Sequence, residues 1–210
     1  MSEQASVVYV VDDDASFLTA VSRLLRSAGY AVRTFSRAEE FLSGLSDTPG
    51  CVIADLQMPG LSGLELQEAL TRTGHTLPVI FLTGHGDIPT TVHAMRQGAE
   101  DFLTKRAPKD DLLEAVKRAL HRDARQRAER FRRNELRARF DDLTPREREV
   151  LQRVVHGRLN KQIAAELNIN ERTVKLHRTA ITTKLNVRSV AELTRLVQEA
   201  GAFSGPVDLP

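Results

Sequence analysis

Polar side chains stand where short apolar runs stop. Asp12, Asp13 and Asp14 follow Val7–Val11, Asp55 follows Val52–Ala54, Thr83 follows Val79–Leu82, and Lys105 comes shortly after Phe102–Leu103. Carboxylates gathered together repel one another unless a divalent cation sits between them. An all-oxygen donor set suits Mg²⁺, which favours carboxylates with phosphate oxygens and water. A hydroxyl and an ammonium across such a site complement phosphoryl oxygens, and a carboxylate can itself attack phosphorus to give an acyl phosphate. Asp55 is the candidate acceptor, because it stands alone at the end of its run, before the turn Met58-Pro59-Gly60. Asp12 and Asp13 are candidate metal ligands beside Asp55, with the backbone carbonyl of Gln57 a further one. Thr83 and Lys105 are candidates for gripping the phosphoryl group. Singly, each has a blander reading: Asp14 as a helix cap, Lys105 as ordinary surface. Such residues at the ends of four neighbouring strands are harder to assign to chance.

That convergence requires a particular scaffold. The first three runs are nearly continuous and β-branched, as in parallel strands covered on both faces, whereas Tyr30–Phe35 alternates like an edge strand. Between them lie helical spacings: Phe17, Leu18, Val21, Leu24, Leu25 and Ala28 before Gly29; then Leu64, Leu66 and Leu70; Val92 and Met95 before Gly98; and Leu112, Leu113, Val116 and Leu120. This alternation predicts a doubly wound α/β fold, a flavodoxin-like five-stranded parallel sheet in the order 2-1-3-4-5. In that order the polar strand ends share one crevice, beyond the carboxyl ends of the strands, where such sheets bind ligands.

The chain has 210 residues, 41% hydrophobic and 28% charged, which fits one large soluble domain or two small ones. A net charge of +2 says little, but its distribution is uneven: Met1–Gly60 is acid-rich and Arg118–Lys184 is rich in Arg and Lys. The single cysteine, Cys51, excludes an internal disulfide and falls in a run read as buried strand. No apolar stretch approaches the ~18 residues of a membrane span, and no secretion signal opens the chain, so a cytoplasmic protein without a membrane partner is expected. From Arg118 to Arg139 a glycine-free, arginine-crowded run carries a thin stripe of Ala124, Ala128 and Phe131. It is read as a continuation of the last helix of the α/β domain, either a solvated linker or a dimer-forming coiled coil.

After Asp141 only helical patterns appear: Pro145–His156, Lys161–Leu167, Glu171–Leu185 and Val190–Ala200. Thr144, Pro145 and Glu147 predict an N-cap with a capping box, and Asn170 is placed to cap the third helix. Ile163, Ala164 and Leu167 on the second helix, with Val174, Ile181 and Leu185 on the third, give two core-facing stripes joined by Asn168-Ile169-Asn170. This is a helix-turn-helix pattern, whose second helix would lie in a major groove. Lys175, Leu176, Arg178 and Thr179 are candidates for base edges, and Asn160, Lys161, Thr173, His177 and Lys184 for phosphates. A bundle with merely solvated basic residues is the alternative on spacing alone.

Val10-Val11-Asp12-Asp13-Asp14, Asp55-Leu56-Gln57-Met58-Pro59-Gly60, Leu82-Thr83-Gly84-His85-Gly86-Asp87 and Asp101-Phe102-Leu103-Thr104-Lys105 resemble the receiver domain of two-component response regulators, over about Ser6 to Leu120. Leu143-Thr144-Pro145-Arg146-Glu147-Arg148-Glu149-Val150-Leu151, with Asn160-Lys161-Gln162-Ile163-Ala164 and Thr173-Val174-Lys175-Leu176-His177, resembles the LuxR-type DNA-binding domain, over about Asp142 to Glu199. The pairing resembles NarL/FixJ-type regulators, most of all the FixJ branch. The resemblance implies a receiver over residues 1–120, a basic linker helix over 121–140, a helix-turn-helix domain over 141–202 and a tail over 203–210. It implies Mg²⁺-dependent transfer of a phosphoryl group from a sensor histidine kinase to Asp55, and a switch in which Thr83 moves toward the phosphate and Phe102 turns inward. Phosphorylation would promote a homodimer through a face with Thr91–Gln97 and Phe102, and binding to double-stranded promoter DNA, with RNA polymerase a further partner.

One departure matters. Receivers usually follow the lysine with proline, often in cis, and an aromatic; here Arg106 and Ala107 follow, with Pro108 late. A cis bond before a non-proline residue costs ~2.5–4 kcal/mol, so a trans Lys105–Arg106 bond is expected. That leaves the aim of Lys105 open and predicts weaker or slower switching. It also motivates a rival in which the receiver is a phosphorylation-independent interaction module. An enzyme of haloacid-dehalogenase type, suggested by Asp12-x-Asp14, leaves Asp55 and the helical domain without a role.

Overall fold

The computed structural model describes residues 6–84 and 88–202. The chain forms two compact units that meet in sequence between Arg127 and Ala128. In the first unit β1 (Val7–Val11), α1 (Ala15–Ser27), β2 (Ala31–Phe35), α2 (Ala38–Ser43), β3 (Gly50–Asp55), α3 (Gly63–Arg72), β4 (Val79–Thr83), α4 (Ile88–Arg96) and β5 (Asp101–Thr104) alternate before α5 (Lys109–Ala138). The strands form one sheet in the order β2-β1-β3-β4-β5, every pairing parallel. The short helix α2 was not singled out in the sequence. At six residues, with Ala38 and Phe41 buried and Leu42 partly so, it is too short for a periodic signal.

Side chains alternate across each strand, so the sheet has two cores. Tyr9, Val11, Val52, Ala54 and Phe81 face one side and pack with Phe41 of α2, Leu66 and Leu70 of α3 and Ala94 of α4. Val8, Val10, Cys51, Ile53, Ile80 and Leu82 face the other and pack with Val21 and Leu25 of α1 and Leu112, Ala115, Val116 and Ala119 of α5. Burial of β3 and β4 is complete along their length, while β2 at the edge is largely exposed. Burial pushes the Cys51 thiol well above its usual value. Because every strand runs the same way, Asp12, Asp55, Thr83 and Lys105 all emerge at one edge. Register sharpens this: Val11 pairs with Ala54, Asp55 with Leu82 and Thr83 with Thr104.

The arginine-rich run is helical, continuous with the receiver's last helix, as α5. Its receiver half is tied down by an internal charge. Asp123, 1% exposed, accepts the Gly50 N–H at 2.9 Å and the Arg127 Nε–H at 2.9 and 3.0 Å. Arg127 also donates to the Asp47 carboxylate at 2.8 Å and the Thr48 carbonyl at 3.0 Å. An i,i+4 pair thus satisfies a backbone donor at the start of β3 that the sheet leaves over.

The second unit holds the end of α5 with α6 (Pro145–Val155), α7 (Asn160–Glu166), α8 (Glu171–Leu185) and α9 (Val190–Ala200), around a core of Val150, Leu151, Ile163, Val174, Ile181, Leu185 and Leu193. The expected caps form. Thr144 and Glu147 make a reciprocal capping box with proline in the first turn of α6, and Asn170 accepts the Thr173 N–H at α8. Helix α7 begins one residue before the expected Lys161 and ends at Glu166, with Leu167 as its C-cap. Asn168, at φ 51°, takes the left-handed conformation that turns α7 into α8.

Candidate functional site

The pocket is built from strand ends. Asp12 follows β1, is 1% exposed, and its Oδ1 accepts the Asp14 N–H at 2.9 Å. Asp14 turns outward to cap α1, accepting from the N–H groups of Ser16 and Phe17. Asp55 ends β3, 7% exposed. Its strand end is braced by α3: Gly63 donates its N–H to Leu56, and a Cβ there would lie 2.3 Å from the Asp55 carbonyl oxygen. Only glycine allows that approach. Asp13 is exposed beside them. Asp12, Asp13 and Asp55 each offer a carboxylate oxygen within 4.8 Å of the others.

Lys105 answers the open question about its aim. Its Nζ lies 2.6 Å from Asp12 Oδ2 and 2.8 Å from Asp55 Oδ2, so the ammonium reaches Asp55 with Arg106 and Ala107 in place. No described peptide bond is cis. The turn is held by hydrogen bonds instead, Lys105 N–H to the Thr83 carbonyl at 2.8 Å and Ala107 N–H to the Thr104 carbonyl at 2.9 Å. Burial raises the Asp12 pKa above its usual range, although Lys105 pulls it down. Burial likewise works against the Lys105 ammonium, but its bonds to Asp12 and Asp55 prevail and hold its pKa above normal. Further positive charge at this site would offset the burial penalty on the Asp12 carboxylate.

Thr83 ends β4, 1% exposed, at the same edge. Phe102 is half-buried on β5, its ring 6.3 Å from that of Phe81. Gln57 lies in the exposed turn after Asp55, its N–H 3.4 Å from Asp55 Oδ1. His85, Gly86 and Asp87 of the quoted motif lie outside the described residues. Sequence reasoning passed over one contributor to the pocket and one ion pair at the opposite edge of the sheet. Phe17 lies in the first turn of α1 with its ring centroid 4.5 Å from the Lys105 ammonium; the signal was an aromatic three residues after the capping Asp14. The Asp123–Arg127 pair was hidden in a run that reads as solvated charge.

In the second unit Lys161, Lys175, Leu176 and Thr179 are exposed on α7 and α8, Leu176 to 64%. Thr173 and His177 are half-buried, and Thr173 donates its hydroxyl to Asn170 at 2.9 Å. Arg178 donates to Asn160 Oδ1 at 2.9 Å, tying α8 to the start of α7. Lys184, expected to reach phosphate, is engaged within the unit: Nζ lies 2.8 Å from the Glu147 carboxylate and 3.1 Å from the Asp142 carbonyl. Arg172, which the sequence reading did not single out, is exposed in the first turn of α8.

A five-stranded parallel sheet with an acidic pocket at its carboxyl edge, followed by a helix-turn-helix unit, defines a receiver module in series with a DNA-binding one. Residues 8–117 match the response regulator receiver domain, and residues 141–197 match the family described as bacterial regulatory proteins, luxR family. The chain belongs to the two-component response regulators with a LuxR-type DNA-binding domain. It is 44% identical to the response regulator protein TodT of Pseudomonas putida, over 94% of this chain and 88% of that protein. It is 38% identical to the transcriptional regulatory protein FixJ of Bradyrhizobium diazoefficiens, over 94% and 97%. Among solved structures, the response regulator StyR shares 47% identity at a TM-score of 0.76, covering 93% of this chain and 99% of that one. Full-length FixJ from B. japonicum shares 38% at 0.56, covering 93% and 97%. The family is one of transcription regulators, and among the described residues no helix is long and apolar enough to cross a membrane.

Proposed function

We propose that Asp55 is the phosphoacceptor and that its phosphorylation by a sensor histidine kinase controls dimerisation and promoter binding. The observation that carries this reading is the pocket itself: Asp55 beside Asp12 and Asp13, with the Lys105 ammonium 2.8 Å from its carboxylate. An Asp55 oxygen attacks phosphorus, the phosphorus–nitrogen bond of phosphohistidine breaks, and the imidazole leaves with the electron pair and takes up a proton. Lys105 and the Thr83 hydroxyl then bind phosphoryl oxygens, and Phe102 turns inward behind Thr83.

The oxygen-only donor set fits a hard cation, and Mg²⁺ would be held by Asp12, Asp13, Asp55 and the Gln57 carbonyl. When bound it neutralises charge on the phosphoryl oxygens. The rise in the Asp12 pKa supports this fit, since burial there disfavours a charge that a cation would stabilise.

Exposed Val92 and Met95 on α4 support a self-association face over Thr91–Gln97 and Phe102. On DNA, Lys175, Leu176, Arg178 and Thr179 would meet base edges, and Asn160, Lys161, Thr173, His177 and Lys184 phosphates, with the Arg178–Asn160 bond bracing the two helices. Lys184 would reach phosphate from an ammonium that is also anchored on Glu147. RNA polymerase is a further partner of the DNA-bound form, and action in the cytoplasm follows from a DNA target.

The test is footprinting on genomic DNA with Mg²⁺, with and without a small phosphodonor, for the wild-type chain and Asp55→Ala. Phosphodonor-dependent protection is expected for the wild type only. Equal protection by Asp55→Ala would leave the receiver a phosphorylation-independent module. No shift in assembly on phosphorylation would remove the dimer.

A further inference from the structure

Lys105 follows the end of β5 and reaches the pocket on a long, flexible side chain. Its ammonium meets two carboxylates, at 2.6 and 2.8 Å, and a third surface, the face of the Phe17 ring with its centroid at 4.5 Å. The Lys105 side chain is only 19% exposed, so little water competes for that face. Phe17 is itself well placed to be a fixed platform. Its N–H is held by the Asp14 cap at 3.1 Å, and its ring packs against the core between the sheet, α1 and α5.

We propose that Phe17 is a positioning residue for phosphorylation of Asp55, holding the Lys105 ammonium over its ring as that ammonium passes from carboxylate to phosphoryl oxygen. This rests on the reading of Asp55 as phosphoacceptor. The two anionic contacts are directional and change in the reaction, since the Asp55 carboxylate loses its negative charge once one of its oxygens is phosphorylated. Attraction to the ring quadrupole is broad over the ring face. It therefore persists while the ammonium moves by an ångström or so. Without the ring, a side chain with four rotatable carbons would have to be re-ordered at that moment, which costs conformational entropy.

The experiment follows phosphorylation of the full chain by acetyl phosphate with Mg²⁺, read by intact mass, as a function of phosphodonor concentration. Phe17→Leu and Phe17→Met keep apolar volume and remove the π face, and Phe17→Tyr keeps it. Leu and Met are expected to lower the phosphorylation rate at saturating donor by several-fold up to about 30-fold, the range set by re-ordering a freed lysine side chain. Tyr is expected to stay within about twofold of wild type, since its ring face is retained. In a Lys105→Ala background, Phe17→Leu is expected to add nothing, because the pair acts as one unit.

A wild-type rate for both Leu and Met, or an equal loss in the Lys105→Ala background, overturns the proposal and leaves Phe17 a packing residue. Failure of Tyr to rescue does the same. If the wild-type chain takes up no phosphoryl group, or Asp55→Ala takes up as much, the phosphoacceptor reading falls first and this inference with it. Having two apolar replacements keeps the test usable if one variant fails to fold.

Discussion

Removing the Asp123 carboxylate is expected to loosen the receiver far more than its place in a charged run suggests. Asp123→Ala leaves the Gly50 N–H, accepted at 2.9 Å by that carboxylate, buried without the acceptor it now has. An orphaned buried donor costs about 1–3 kcal/mol. Removing one member of a buried ion pair costs up to about 3–5 kcal/mol. Here the charge part falls below that range, because Arg127 keeps the Asp47 carboxylate at 2.8 Å and the Thr48 carbonyl at 3.0 Å. The sum is about 3 kcal/mol. Asp123→Asn keeps an acceptor for Gly50 and should lose about half as much. A double change, Asp123→Leu with Arg127→Met, should recover the charge part but not the Gly50 part. The assay is urea unfolding followed by tyrosine fluorescence. The chain has two tyrosines and no tryptophan, and Tyr9 and Tyr30 both lie in the receiver, so the signal reports that unit alone. With a slope of about 1–3 kcal/mol per molar urea, Asp123→Ala should move the midpoint down by about 1–3 M. A movement under roughly 0.3 M, or identical behaviour of Ala and Asn, would refute the reasoning.

At Gly63, an alanine Cβ would meet the Asp55 carbonyl oxygen at 2.3 Å; Gly63→Ala is expected to cost about 1–3 kcal/mol and to slow phosphorylation of Asp55, whereas a wild-type rate would show that α3 shifts without disturbing the acceptor. Among the described residues the buried Tyr9 hydroxyl has no hydrogen-bond partner, so Tyr9→Phe should be neutral or stabilising by up to about 1 kcal/mol by calorimetry, and a clear loss of stability would expose an unseen partner. Burial alone would raise the Glu147 pKa, but the bonds from Lys184 and Thr144 hold it below its usual 4.5. That pair therefore contributes stability fully present above pH 4.5 and lost as pH falls through the lower folded value. Thermal melts of Lys184→Met should show a flatter acid limb of the helical unit than wild type, and equal acid sensitivity would assign the effect to another group.

Much of this was legible beforehand because parallel α/β folds write themselves plainly. Continuous β-branched runs mark β1, β3 and β4, and polar residues just past them can only lie at the sheet's carboxyl edge. The capping of α6 and α8 was equally plain, since Thr144, Glu147 and Asn170 can satisfy end N–H groups only from those positions. Contacts that depend on side-chain direction were not legible. Lys105 could not be aimed from its neighbours, because the missing proline bears on the turn while the ammonium is drawn to where Asp12 and Asp55 stand. The Lys184–Glu147 contact joins the end of α8 to the start of α6, a pairing that spacing along either helix does not reveal. Asp123 and Arg127 differ from their neighbours only in facing the start of β3, a consequence of helix phase that an even arginine pattern conceals.

Cys51 lies wholly enclosed in β3, in the same strand as Asp55, with its thiol biased toward the inert protonated form by its surroundings. A thiol reagent can reach it only when that strand opens. As the sole sulfhydryl of the chain, it makes the labelling rate a built-in clock for how often the central strand of the signalling domain breathes.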